Sequence, residues 1–154
     1  KINNLPEKIA IRTTFMVGFP GETEQDHKEM CEFVKKYNLT HTGFFEYSKE
    51  DGTVAAKMPN QVDKKTKKQR LLNLINIAEK QQKANLRQLV GKTVDVIYEG
   101  IDFDKKLFYG RSQFQAPEVD NIIYFKSKDF VDIGEIYKVK ITKVFGDDLK
   151  GEKV

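Results

Sequence analysis

Gly18-Phe19-Pro20-Gly21-Glu22-Thr23 follows directly on the run Ile9-Ala10-Ile11-Arg12-Thr13-Thr14-Phe15-Met16-Val17. The run is rich in β-branched and aromatic residues, so residues 9–19 read as a buried strand. The Pro/Gly turn interrupts it, and Thr23 is a good N-cap for a helix. A strand–turn–helix joint of this kind lines ligand sites at the carboxyl ends of parallel strands. Ile9, Ile11, Thr13, Phe15, Val17 and Phe19 fall on one face of the strand, which should pack on helices. Arg12, Thr14, Met16 and Gly18 fall on the other, which suits a ligand-filled interior. Arg12 has two readings there, a ligand contact or an ion pair inside a barrel.

Downstream, Asp26 at the third helical position and Glu22 and Glu24 nearby complement the helix N-terminus. Glu22 itself reads as helix-capping rather than proton-moving. Met30, Phe33, Val34 and Tyr37 recur at helical spacing, and Cys31 beside them reads as inert packing. His27 reads as a surface helix residue and His41 as a loop residue, and neither has a metal-ligand companion at useful spacing. A second strand is expected over 42–48, ending in Ser48-Lys49-Glu50-Asp51-Gly52-Thr53. Strand–helix–strand of this length predicts a parallel, right-handed unit, with residues 18–23 and 47–53 opening on the same side. Two strands are too few for an ordinary parallel sheet, so an upstream part is expected to be missing.

Residues 63–90 read as a long helix, with Leu71, Leu74, Ile75, Ala78, Leu86 and Leu89 in period and Gly91 as C-cap. Lys64, Lys65, Lys67, Lys68 and Arg70 crowd its start. A solvated face and a nucleic-acid contact both explain them, and helix stability does not, since cations there oppose the dipole. From Lys92 the pattern changes to short β-rich pieces at 93–98, 107–114, 122–125 and 136–144, with turn signals between them. Four or five such strands predict a small barrel of oligonucleotide-binding type.

The whole chain of 154 residues is 39% apolar and 32% charged, the composition of a soluble globular protein. No apolar run approaches the roughly 20 residues of a membrane span, so no membrane partner is expected. A single cysteine fits a reducing, cytoplasmic setting and is too few for an iron–sulfur or structural zinc site. Residues 1–86 carry 15 Lys+Arg against 11 Asp+Glu, whereas residues 87–154 carry 12 against 12. The basic excess lies in the first part, which weakens an acidic-partner reading for the second.

Arg12 through Thr23, then Tyr47-Ser48-Lys49-Glu50-Asp51-Gly52-Thr53 with Ala55, then Gln61-Val62, resemble the second half of a radical S-adenosylmethionine methylthiotransferase. The neutral barrel resembles the TRAM domain that closes these enzymes. The resemblance implies an α/β plus all-β chain. Residues 1–87 would be the C-terminal portion of a (β/α) radical SAM barrel, and residues 88–154 a small OB-like TRAM β-barrel. Lys49, Glu50 and Asp51 in the second motif, and Gln115-Ala116-Pro117-Glu118-Val119-Asp120, resemble the branch that methylthiolates an aspartate of a small-subunit ribosomal protein. A protein target also agrees with the neutral barrel, since RNA binding relies on clustered Lys and Arg. A transfer RNA methylthiotransferase and a non-catalytic RNA-binding module remain as alternatives.

The resemblance further implies S-adenosylmethionine and two 4Fe-4S clusters in the full-length parent. Arg12, Thr14, Gly18, Gly21, Phe45 and Tyr47 are the expected cofactor-binding residues. Arg12 would pair with the cofactor's carboxylate or with Glu50. The glycines would let the backbone approach closely. Phe45 and Tyr47 would flank the adenine or serve as core packing. No catalytic or metal-ligating residue is expected. The three-cysteine motifs of the family are absent, and Pro6 reads as lying just before a late strand of the barrel. A complete barrel of this type needs roughly 200 residues or more. The chain is therefore expected to be a C-terminal fragment, inactive alone and holding no tightly bound cofactor.

Overall fold

The computed structural model describes residues 9–154; Pro6 lies outside the described residues. The chain forms two compact units, one ending at Gln82 and the other Lys83–Val154. No helix among the described residues is long and apolar enough to cross a membrane.

In the first unit, β1 (Arg12–Val17) pairs in parallel with β2 (His41–Glu46) through the intervening α1 (Glu24–Tyr37). His41 thus opens a strand, not a loop. The register sets Arg12 beside His41, Thr14 beside Gly43 and Met16 beside Phe45. α1 starts where the side chains can satisfy its free amides. Thr23 Oγ1 accepts from Asp26 N–H, and Thr23 N–H donates to Asp26 Oδ2 at 2.8 Å. Asn38, in the left-handed region at φ 43, ends it. A short helix that the sequence did not announce, α2 (Val54–Lys57), is capped by Thr53 Oγ1. The long α3 (Lys64–Arg87) follows.

Alternation along β1 decides which face is buried. Val17 is fully buried with Cys31, Val34 and Leu74, and Phe15, Met30, Phe44, Leu71 and Ile77 pack around them. Phe15 stacks on Phe44 with ring centroids 5.8 Å apart. The opposite face, with Arg12, Thr14, Met16, Gly43 and Phe45, is open.

The second unit is a closed five-stranded barrel. Its strands are β3 (Thr93–Asp102), β4 (Leu107–Arg111), β5 (Ile123–Lys126), β6 (Ile136–Phe145) and β7 (Asp148–Lys153). They pair around the barrel in the order β3-β4-β5-β7-β6, with β5 and β7 parallel and the other pairs antiparallel. This is the five-stranded Greek-key arrangement of OB-like barrels. Val96, Tyr98, Ile123, Phe125, Val139, Ile141 and Leu149 fill the interior, joined by Leu86. β3 runs past Tyr98 because the register shifts between Tyr98 and Gly100, and the extra residue turns the strand. β4 stops before Phe114 because Gln115 Oε1 takes the Ser112 N–H and hydroxyl, both at 2.7 Å. Gly110 and Gly151 are small by necessity. A Cβ on Gly151 would sit 2.5 Å from the Lys140 carbonyl oxygen, and one on Gly110 would overlap the Ile97 carbonyl.

Candidate functional site

The turn after β1 and the exit from β2 lie at the carboxyl ends of the parallel pair. Gly18 and Gly21 adopt φ +74 and +88, a region that L side chains rarely enter. The amides of Gly18, Gly21, Glu22 and Thr23 are engaged within the protein. Gly18 N–H donates to Glu22 Oε2 at 2.6 Å, and Gly21 N–H to the Asn60 carbonyl at 2.9 Å. Glu22 N–H donates to the Phe19 carbonyl, and Thr23 N–H to Asp26. These four amides are therefore not a nest of free N–H donors. Asp26, whose carboxyl is held below the usual range by the Thr23 backbone and hydroxyl bonds, also makes this helix start a poor seat for an anion.

Two side chains from α3 close on the turn. Arg70 Nη1 bonds Glu22 Oε1 at 2.7 Å and the Glu22 carbonyl at 3.2 Å, with both side chains 8% exposed. Lys67 Nζ donates to the Tyr47 carbonyl at 2.9 Å and lies over the Tyr47 ring. The Lys67 stem fills the space where a Gly18 Cβ would stand. Tyr47 packs edge-on against Phe19 at 5.4 Å. Glu22 is thus not the helix cap; Thr23 and Asp26 do that work, and Glu22 ties the turn to α3.

Residues 90–154 match the TRAM domain family. Nearly the whole chain is similar to ribosomal protein uS12 methylthiotransferases RimO. That of Clostridium acetobutylicum is 41% identical over 98% of this chain and 34% of its own length. Those of Desulforamulus reducens and Clostridioides difficile are each 38% identical, over 94% and 97% of the chain. The chain is thus similar, over nearly its whole length, to one part of these methylthiotransferases. It spans about a third of the length of the curated relatives it matches.

In this chain the expected site residues separate into three groups. Arg12, Thr14 and Phe45 stand on the open sheet face, with Phe45 46% exposed beside Met16 at 38%. Gly43 stands beside Thr14 on that face, where a Cβ would make only ordinary contact with the Thr14 side chain at 3.5 Å. Gly18 and Gly21 sit in the turn, and the close neighbour of Gly18 is Lys67. Tyr47 lies beyond the end of β2 and is buried under Phe19 and Lys67, so it does not share the exposure of Phe45. Glu50 accepts from the Ser48 hydroxyl at 2.9 Å.

The iron–sulfur clusters of such enzymes do not fit these residues. Among the described residues no group of three or more His, Cys, Asp and Glu side chains could hold a metal. Cys31 is buried, and burial pushes its thiol pKa up, away from the thiolate that binds iron. Its Sγ lies 3.5 Å from His27 Nε2, and Asn73 Nδ2 approaches both. His27 is 4% exposed, which corrects its reading as a surface residue. The open face presents apolar surface at Met16 and Phe45 beside the Arg12 position.

Lys67, Arg70 and Asn60 escaped the sequence reading. One signal for two of them was present. Positions 67, 70, 71, 74 and 77 share one helical stripe, so Lys67 and Arg70 belong to the inward face of α3 and not to a solvated one.

Proposed function

We propose that this chain is part of a cytoplasmic radical S-adenosylmethionine enzyme that adds a methylthio group to an aspartate of ribosomal protein uS12. Residues 1–87 supply a strip of the cofactor pocket, and residues 88–154 dock the protein target. The observation that carries this reading is the 41% identity over 98% of the chain to a uS12 methylthiotransferase. Arg12 anchors a carboxylate of S-adenosylmethionine, Thr14 bonds it, and Phe45 with Met16 forms an apolar floor for its nucleoside. Bound in such an enzyme, S-adenosylmethionine supplies the radical that activates an unreactive carbon. Gly18 and Gly21 hold the turn at the mouth of that strip, and Tyr47 backs it from below. The wall excludes water by its apolar side chains, a condition for reactive intermediates.

The barrel's ion pairs support a protein target. Lys105, Arg111, Lys138 and Lys153 are each matched by a carboxylate of the same unit, at 2.6 to 3.0 Å. One observation favours a second reading, RNA binding by the barrel. Lys143 and Lys150 lie over the Phe145 ring at 5.8 and 5.4 Å, and Phe145 meets Tyr124 edge-on, a cation-lined aromatic patch. Mass spectrometry of uS12 and of bulk transfer RNA, from cells with and without the gene, separates the two. Loss of a methylthio group from a uS12 aspartate is expected; loss from transfer RNA alone overturns the proposal.

A further inference from the structure

Arg70 is 7% exposed, and its partner Glu22 has a side chain that is 8% exposed. A buried ion pair is a weak source of stability, because desolvation offsets the attraction. Its geometry here has another consequence. Arg70 Nη1 binds both the carboxylate and the main-chain oxygen of Glu22, while the other carboxylate oxygen takes the Gly18 amide. Glu22 is thereby a rigid strut across the turn, fixed at its backbone, at its tip and at Gly18. Three residues earlier on α3, Lys67 binds the Tyr47 carbonyl and packs its stem on Gly18. Tyr47 N–H in turn donates to the Val17 carbonyl at 2.8 Å. Two adjacent basic side chains on one helix thus fix both strand exits, a task for which Arg is suited by its rigid fork and Lys by its long stem.

We propose that Arg70 and Lys67 are positioning residues that hold the Gly18–Glu22 turn and the β2 exit in the one geometry the cofactor strip requires. This rests on the reading of that strip given above. The basic cluster at the start of α3 is then divided: Lys67 and Arg70 serve the turn, and Lys64, Lys65 and Lys68 remain exposed.

Arg70→Met, Arg70→Lys and Glu22→Gln in the whole chain test it by two measurements. Amide exchange is followed at Gly18, Gly21 and Tyr47, with Val34 and Leu74 as core references. Calorimetry measures affinity for S-adenosylhomocysteine. Arg70→Met should speed exchange at Gly18 by about tenfold or more, leave the core amides unmoved and weaken nucleoside affinity by about tenfold. Arg70→Lys should recover part of both, because it restores the charge without the fork. Glu22→Gln, which keeps the shape and removes the charge, should resemble Arg70→Met at Gly18 even if the latter folds poorly. Unchanged Gly18 exchange, equal loosening of the core, or a loosened turn with intact affinity each overturns the proposal. If the wild-type chain shows no affinity for the nucleoside, as expected of a piece that holds no tightly bound cofactor, the exchange measurements at Gly18, Gly21 and Tyr47 alone decide whether the clamp exists.

Discussion

His27 carries its ring into the core of the first unit, where Asn73 Nδ2 and Cys31 Sγ meet Nε2 and Nδ1 has no partner. Burial lowers its pKa below the ordinary 6.5. The unfolded chain therefore binds a proton in a range where the folded chain does not, and stability rises with pH across that range. As pH falls below 6.5 the first unit should lose stability until the folded-state pKa is passed. The carboxylates held low by hydrogen bonds, Asp26 and Asp63, act separately, below 3.8. Thermal unfolding between about pH 7 and about pH 5 should show a falling midpoint in the wild type and a flatter one in His27→Leu. Equal slopes would contradict the assignment. The sequence concealed this role because a lone histidine on an amphipathic helix gives no sign of which partner it will meet. Asn73 comes from forty-six positions later. The same limit applied to Glu22, whose partner Arg70 is forty-eight positions away, whereas the Thr23–Asp26 cap was readable because it is local.

Elements with local causes were the legible ones. α1 has its box, its acidic first turn and its basic last turn in one stretch, and it forms where they predict. Thr23→Ala should cost about 1 kcal/mol by removing the acceptor for the Asp26 amide, read as a lower midpoint in chemical denaturation. The barrel strands were legible as pieces but not in their extents. The bulge at Gly100 and the Ser112–Gln115 turn are side-chain and register events that alternation does not encode. β7 was missed as a distinct piece because Asp148-Leu149-Lys150-Gly151-Glu152-Lys153 has one buried apolar side chain, Leu149. Its glycine is a packing requirement. Gly151→Ala puts a methyl against the Lys140 carbonyl and Val139 Cγ1, both part of β6. Backbone has no rotamer with which to yield, so the β6–β7 pairing must shift, at a cost of about 1–3 kcal/mol or more. Gly146→Ala, with open space around its Cβ, meets no such neighbour and is limited to the strain of its positive φ. Urea midpoints of the two variants should rank Gly151→Ala as the more damaged; the reverse order would contradict the packing argument.

At the scale of the whole molecule the question is what the neutral barrel binds. Residues 87–154 carry equal numbers of cations and anions, 12 and 12. The structure adds that Lys105, Arg111, Lys138 and Lys153 have carboxylate partners within their own unit. Such pairs are individually weak, but each holds a carboxylate close to the cation that a phosphate would need. RNA affinity comes mainly from phosphates displacing counterions, so its logarithm falls in proportion to the phosphates engaged as salt rises. Four of the barrel's cations are matched this way, and Lys143 and Lys150 beside Phe145 form a patch arranged to engage phosphates. A protein target held by shape and apolar contact loses little over the same range, since screening acts on charges and not on buried area. Binding of the chain to uS12 and to bulk transfer RNA, each measured across a salt series, therefore has a definite expected outcome. The uS12 complex should weaken only slightly, and any transfer RNA complex should weaken steeply. Lys143→Gln with Lys150→Gln should reduce the RNA slope and leave uS12 affinity near the wild-type value. A steep salt dependence for uS12, abolished by the same two substitutions, would transfer the docking role to that patch and remove the basis for reading neutrality as the mark of a protein target.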